Sequence, residues 1–313
     1  MKNIEQIPAG IKLAPTKPAS FEAKAFEKFK HELTPAEQEY FQSKVVSAIE
    51  ERPRLDDFAY SSDQKAEDRK HLADKQKMAN INANYIRAKI IEHFLANSVE
   101  MQNWLGQEVR VTDTSEFDDW LNGIDSVFEF ETEPPLRLAV DFTTETDSQK
   151  IKDRKLIPLL LGIESGRLSE AKYFISQLPG DQEHLTRLPK VTVAIAKENI
   201  SGLINRSRQA IDKSWLKFLV LEEIKAQLEY ILAHNHNPRR KHYDSHTAAA
   251  LDLIYVPLLN KIKEIYNVTV DEVALKNQRK TPALDRGKLN QLMIEKLKVQ
   301  DQAFAALMAL LES

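Results

Sequence analysis

Apolar residues recur at helical spacing through the first hundred positions of this 313-residue chain and again through its last third, with short alternating segments between. Ser20 is placed to cap a short helix whose apolar positions are Phe21, Ala25, Phe26 and Phe29. Thr34-Pro35-Ala36-Glu37 is a capping-box pattern with proline at the first helical position, and it predicts a second helix running to about Glu51. Residues 63–77 mix both charges densely. Ile81, Tyr85, Ile86, Ile90, Ile91, Phe94 and Leu95 then predict a helix buried on one face, ending between Asn97 and Gly106. Four strands follow: one around Val109 and Val111, then Ile124 to Glu131, Leu136 to Phe142 and Val191 to Ala196. Between the last two, Thr146-Asp147-Ser148-Gln149 opens a helix carrying Ile151, Leu156, Leu159, Leu160 and Ile163, which Pro158 is expected to kink or split. Leu168 to Ile175 fits helix or strand. Beyond Asn199 the pattern is helical, with amphipathic stretches at Ile211 to Ala233, His246 to Tyr266 and Lys288 to Leu311.

This order implies an N-terminal arm (1–19, with Pro8, Gly10, Pro15 and Pro18), a helical extension (20–80), an α/β core (81–204) and a helical C-terminal region (205–313). The apolar stripes of the last region supply either core or a homodimer surface.

Composition narrows the function by exclusion. Lys and Arg number 44 against 47 Asp and Glu, so any nucleic-acid binding must come from a local basic patch. Without cysteine there is no disulfide, thiolate or cysteine-based zinc chemistry. The longest apolar run, Leu156 to Ile163, is interrupted by Pro158 and Gly162 and is too short to span a bilayer. Residues 1–17 lack an apolar signal core, so a cytoplasmic setting is expected. No Gly-rich phosphate loop, nucleophile elbow or dinucleotide fingerprint occurs. Four histidines crowd residues 234–246, and His242 and His246 have the spacing that shares a helix face. The stretch reads better as a loop in which Arg239, Arg240 and Lys241 suit phosphate contacts, or simply face water. Lys276 to Arg286 forms a second basic cluster.

One constellation looks chemical. Glu133-Pro134-Pro135 is a turn signal between the second and third strands, and a hairpin symmetric about residue 133 sets Glu129 opposite Arg137 and Asp125 opposite Asp141 on one face. The other face carries Phe128, Phe130, Leu136 and Leu138. Facing carboxylates with side-chain carbons about 5 Å apart repel. Either one is protonated or a cation lies between them, and hard Mg²⁺ or Mn²⁺ suits oxygen ligands. A slipped register would instead leave one aspartate capping an element or facing water. Asp118 and Asp119 precede the hairpin, where they cap a turn into Trp120 or add outer contacts to a metal.

An acidic residue after Gly123-Ile124 at the start of one strand, a second near the end of the next, then a helix and a further strand resemble the PD-(D/E)XK (restriction-endonuclease-like) nuclease superfamily over roughly Ile81 to Ala196. The resemblance implies an αβββαβ core, here with helical additions at both ends, and Mg²⁺-dependent phosphodiester hydrolysis, with DNA the expected substrate. Asp125 and Asp141 would bind the metal, assisted by Glu92 on the first core helix. The pattern's lysine, two residues beyond the second acid, is replaced by Thr143. Lys150 is the first substitute, with Lys152 second, while Lys150, Lys152 and Lys155 also read as a solvated helix face. Without a migrated lysine the chain would be a catalytically inactive nuclease-like protein serving as a nucleic-acid-binding or protein-interaction module.

Overall fold

The computed structural model describes residues 20–178, 184–205, 215–238, 244–278 and 286–312. The expected arm 1–19, the basic run Arg239, Arg240 and Lys241, and most of the second basic cluster lie outside these residues or have side chains that do. Helix α1 spans Phe21–Phe29, capped by Ser20 as expected. Helix α2 runs continuously through Pro35–Tyr40, a π-helical turn Phe41–Val45, and Val46–Glu51. Its Thr34–Glu37 capping box is formed. The charge-dense segment is α3 (Ser62–Met78), and the buried helix is α4 (Ala83–Met101).

The strands are β1 (Val109–Asp113), β2 (Ser126–Phe130), β3 (Leu136–Thr143) and, after a helix and two short strands, β6 (Lys190–Ala194). They form one mixed sheet in the order β1-β2-β3-β6, antiparallel except for β3 with β6. The β2–β3 register is the symmetric one, with Ser126 opposite Val140, Glu129 opposite Arg137 and Phe130 opposite Leu136.

Alternation along these strands creates two unlike faces. Phe128, Phe130, Leu138 and Val140 join Ile86, Ile90, Phe94 and Leu95 of α4 in the main core. The expected ion pair is present on the other face, Arg137 Nε to Glu129 Oε1 at 3.0 Å, yet Glu129 is fully buried. Ser169–Ala171 (β4) and Leu185–Leu188 (β5) pair in a small second sheet over that face, where Ala171, Phe174, Leu185 and Leu188 pack on Val127 and Ala139. The Gln177 N–H donates to Glu129, compensating a carboxylate that would be costly to bury alone.

Helix α5 is one continuous element: Ser148–Ile151, a π-helical turn Lys152–Leu156, and Ile157–Glu164. Pro158 does not split it, because the widened turn lies where the missing proline N–H would have left a gap in the hydrogen-bond ladder. After α6 (Ile200–Ile204) come α7 (Trp215–Asn235), α8 (Ser245–Gln278), α9 (Arg286–Gln300) and α10 (Gln302–Leu311). The helix expected over 288–311 is broken at Asp301, whose carboxylate accepts from the N–H groups of Ala303 and Phe304 and so starts α10. Leu219, Ile224 and Leu228 of α7 belong to the same core cluster as Leu203 and Val191, so the core continues across position 205. No helix among the described residues is long and apolar enough to cross a membrane.

Helix α7 also closes the open edge of β6. Gln227 accepts from Thr192 N–H and donates to its carbonyl, while Glu223 Oε2 accepts from Ala194 N–H at 2.9 Å. Side chains thus occupy hydrogen-bonding positions that another strand would otherwise seek. Glu223 is fully buried, and burial pushes its carboxyl well above the usual range. A folded-state pKa above the unfolded one means that this group stabilises at low pH and that its contribution is lost as pH rises above the unfolded carboxylate range. Glu223→Gln keeps an acceptor for Ala194, so urea denaturation at pH 5 and pH 8 is expected to show a loss of stability at the higher pH in the wild type that the variant lacks.

Candidate metal centre

Four elements deliver carboxylates to one end of the sheet. Gly123, at φ 60°, makes a left-handed turn that delivers Asp125 to the start of β2, and a Cβ there would come within 3.0 Å of Lys190 Nζ. Asp125 N–H donates to Val140 O, and Asp125 Oδ2 accepts from Phe142 N–H at 2.7 Å, so this side chain is locked across the strand pair. Asp141 projects from β3. Glu92 projects from α4, and Asp119 from a π-helical turn, Asp118–Asn122, between β1 and β2. One oxygen each of Glu92, Asp119 and Asp125 lies within 4.8 Å of the others.

Cations are interleaved with these acids. Lys89, one turn before Glu92 on α4, donates to Glu92 Oε2 at 2.6 Å, to Asp119 Oδ2 at 2.5 Å and to Asp125 Oδ1 at 3.4 Å. Arg52, directly after α2, bonds Glu92 and reaches Asp119 Oδ2 at 3.1 Å. On the other flank, Lys155 Nζ bonds both Asp141 oxygens at 2.9 and 2.7 Å, and Lys190 Nζ lies 3.9 Å from Asp141 Oδ2.

Burial and these neighbours separate the ionisation of groups of the same type. Burial, reinforced by the Glu92 charge, raises Asp125 well above the usual carboxylate range despite Lys89. Burial likewise raises Glu92. For Asp119 burial acts in the same direction but is outweighed by Lys89 and Arg52, leaving its pKa low. Burial opposes the Lys155 charge, but Asp141 more than offsets it and the pKa rises. Lys190, also desolvated and repelled by Lys155, is lowered.

Asp125, Asp141 and Glu92 therefore gather at one sheet end. Lys150 does not join them: its half-exposed ammonium sits 3.7 Å from Glu145 and 3.6 Å from Asp147. An early helical turn rich in nearby carboxylates holds it there. The ammonium at Asp141 comes instead from Lys155, in the π-helical turn of α5, and Lys152 is exposed. Thr143 is engaged locally, its hydroxyl accepting from Glu145 N–H. Comparison of the chain with protein-family models, curated proteins and solved structures finds no match.

Glu92, Asp119 and Asp125 offer closely spaced oxygen donors of the kind that fits a hard divalent cation such as Mg²⁺ or Mn²⁺, whereas Asp141, expected as a ligand, is outside that group of three and is held by Lys155. The histidines do not combine in this way. His234 bonds Glu164 of α5 at 3.0 Å and His236 bonds Asp252 of α8 at 2.8 Å, while His242 lies outside the described residues. Asp118, next to Asp119, faces away from the centre and is a structural acceptor for the β4 segment.

Proposed function

We propose that the protein is a divalent-metal-dependent nuclease of the restriction-endonuclease-like kind, acting on phosphodiester bonds with DNA as the first substrate to test. The observation that carries this reading is the lysine ammonium held on Asp141 while Asp125 and Glu92 gather at the same sheet end. The order α4, β1 to β3, α5 and then, after the small β4–β5 pair, β6 parallel to β3 supports it further. Asp125 and Asp141 would hold Mg²⁺ with help from Glu92, and the bound ion would supply an activated water and neutralise charge on the phosphate. Lys155 sets a positive charge beside Asp141, where charge would accumulate on the phosphate oxygens, and its two hydrogen bonds fix that carboxylate's orientation. Asp125 is oriented independently by Phe142 N–H.

A second reading, an inactive nucleic-acid-binding or interaction protein, draws on the fact that Lys89 and Arg52 already neutralise the acidic group. Calorimetry with Mg²⁺ and Mn²⁺, wild type against Asp141→Asn, decides between them when paired with cleavage of mixed DNA and RNA in the same buffer. The nuclease reading expects binding that is weakened at least tenfold in the variant, and cleavage that requires the metal. Metal binding without cleavage of any substrate would favour the inactive protein.

A further inference from the structure

The ammonium of Lys89 lies within 3.4 Å of oxygens from three carboxylates that are themselves within 4.8 Å of one another. It is therefore at the place where a cation shared by those oxygens would sit. An ammonium and a divalent cation cannot both occupy it, because they repel and compete for the same lone pairs. If a metal uses Glu92 and Asp125, as the nuclease reading requires, Lys89 must go elsewhere.

The structure offers a destination. Glu22 of α1 is 1% exposed, and neither of its carboxylate oxygens has a hydrogen-bond partner. A buried, unpartnered carboxylate is costly and calls for a donor or a cation. The Tyr85 hydroxyl is likewise buried without a partner. Tyr85 lies four residues before Lys89 on α4, the spacing at which side chains share a helix face, and the charges of both Lys89 and Glu22 act on its hydroxyl. The Phe21 ring packs edge-on against Tyr85 at 6.3 Å, which fixes the start of α1 against this face of α4. Lysine has a long, flexible stem that can serve two anion sets from one Cα.

We propose that Lys89 is a built-in plug of the cation site: its ammonium holds Glu92, Asp119 and Asp125 together when no metal is bound and withdraws to Glu22 and the Tyr85 hydroxyl when a divalent cation enters. This rests on the nuclease reading for the identity of the metal ligands. The buried charge cluster is then a resting state. Its opposite charges keep the acids from repelling one another, and its affinity for metal is reduced by the competition of an internal cation.

The test is calorimetric titration of the full chain with Mn²⁺. Lys89→Gln removes the competitor and is expected to bind Mn²⁺ about tenfold more tightly than the wild type. Glu22→Gln leaves the plug in place but weakens its destination, and is expected to bind about threefold or more weakly. Equal or weaker binding by Lys89→Gln overturns the plug while leaving the nuclease reading intact, provided the wild type binds. Absence of binding in both proteins overturns the two together. Should Lys89→Gln fail to fold, as judged by thermal melting, Glu22→Gln decides alone, and an unchanged Mn²⁺ affinity overturns the proposal.

Discussion

Lys155→Ala is expected, on the nuclease reading proposed above, to reduce metal-dependent phosphodiester cleavage by about two to three orders of magnitude, the usual consequence of removing one fixed positive or hydrogen-bonding group aimed at developing charge. Both Asp141 oxygens accept from the Lys155 ammonium, so the substitution removes a charge and also frees a carboxylate to rotate. Two readouts separate these effects. Loss confined to kcat, with Mn²⁺ affinity retained, marks a group acting on the transition state, whereas weakened Mn²⁺ binding marks lost orientation of Asp141. Lys150→Ala is the control, because that side chain pairs with Glu145 and Asp147 in solvent and its loss should leave cleavage unchanged. Equal rates for Lys155→Ala and wild type would remove Lys155 from the chemistry.

The contrast between these lysines shows where the sequence was legible. The β2–β3 register could be read because the apolar set Phe128, Phe130, Leu138 and Val140 must share a face, and a shift by one residue would reverse every side chain. Asp125 opposite Asp141 followed from that register, whereas Glu92 was implied only by the family resemblance, which expects an acid on the first core helix. Lys155 was not separable from its neighbours, since the π-helical turn Lys152–Leu156 changes the angular step between side chains and no residue in it signals the change. Lys89 stood among apolar positions, where a lysine reads as reaching past them to water. Arg52 comes from a helix end forty positions before its partner Glu92. Their burial is intelligible only after the acids have converged, because an unpaired internal ammonium would be excluded. The cover over Glu129 was hidden for a different reason. Strands β4 and β5 are three and four residues long, too short to carry a period, and the residues directly after β4 are bound by a carboxylate from another segment.

That carboxylate belongs to Asp118, and Asp118→Ala is expected to lower stability by about 2–6 kcal/mol, since each buried donor left unpaired costs about 1–3 kcal/mol. Asp118 is fully buried. It accepts from Lys172 N–H at 2.8 Å, Tyr173 N–H at 2.9 Å, Ser115 Oγ at 2.8 Å and Asn122 Nδ2 at 2.7 Å. The two main-chain donors have no side-chain freedom with which to find new acceptors, whereas Ser115 and Asn122 can rotate, so the lower bound rests on Lys172 and Tyr173. Asp118→Asn should fall between wild type and alanine, because its amide supplies one acceptor but turns a donor toward groups that also donate. Urea denaturation measures this, and a loss below 1 kcal/mol for alanine would mean that the β4 segment is held by its apolar contacts alone. The same substitution reaches the candidate metal centre through geometry. Asp118 anchors the π-helical turn that carries Asp119, so loosening it releases Asp119 from Lys89 and Arg52. Two adjacent aspartates thus act in opposite ways: one accepts neutral donors and holds the backbone, and the other, facing cations, joins the cluster that the backbone presents.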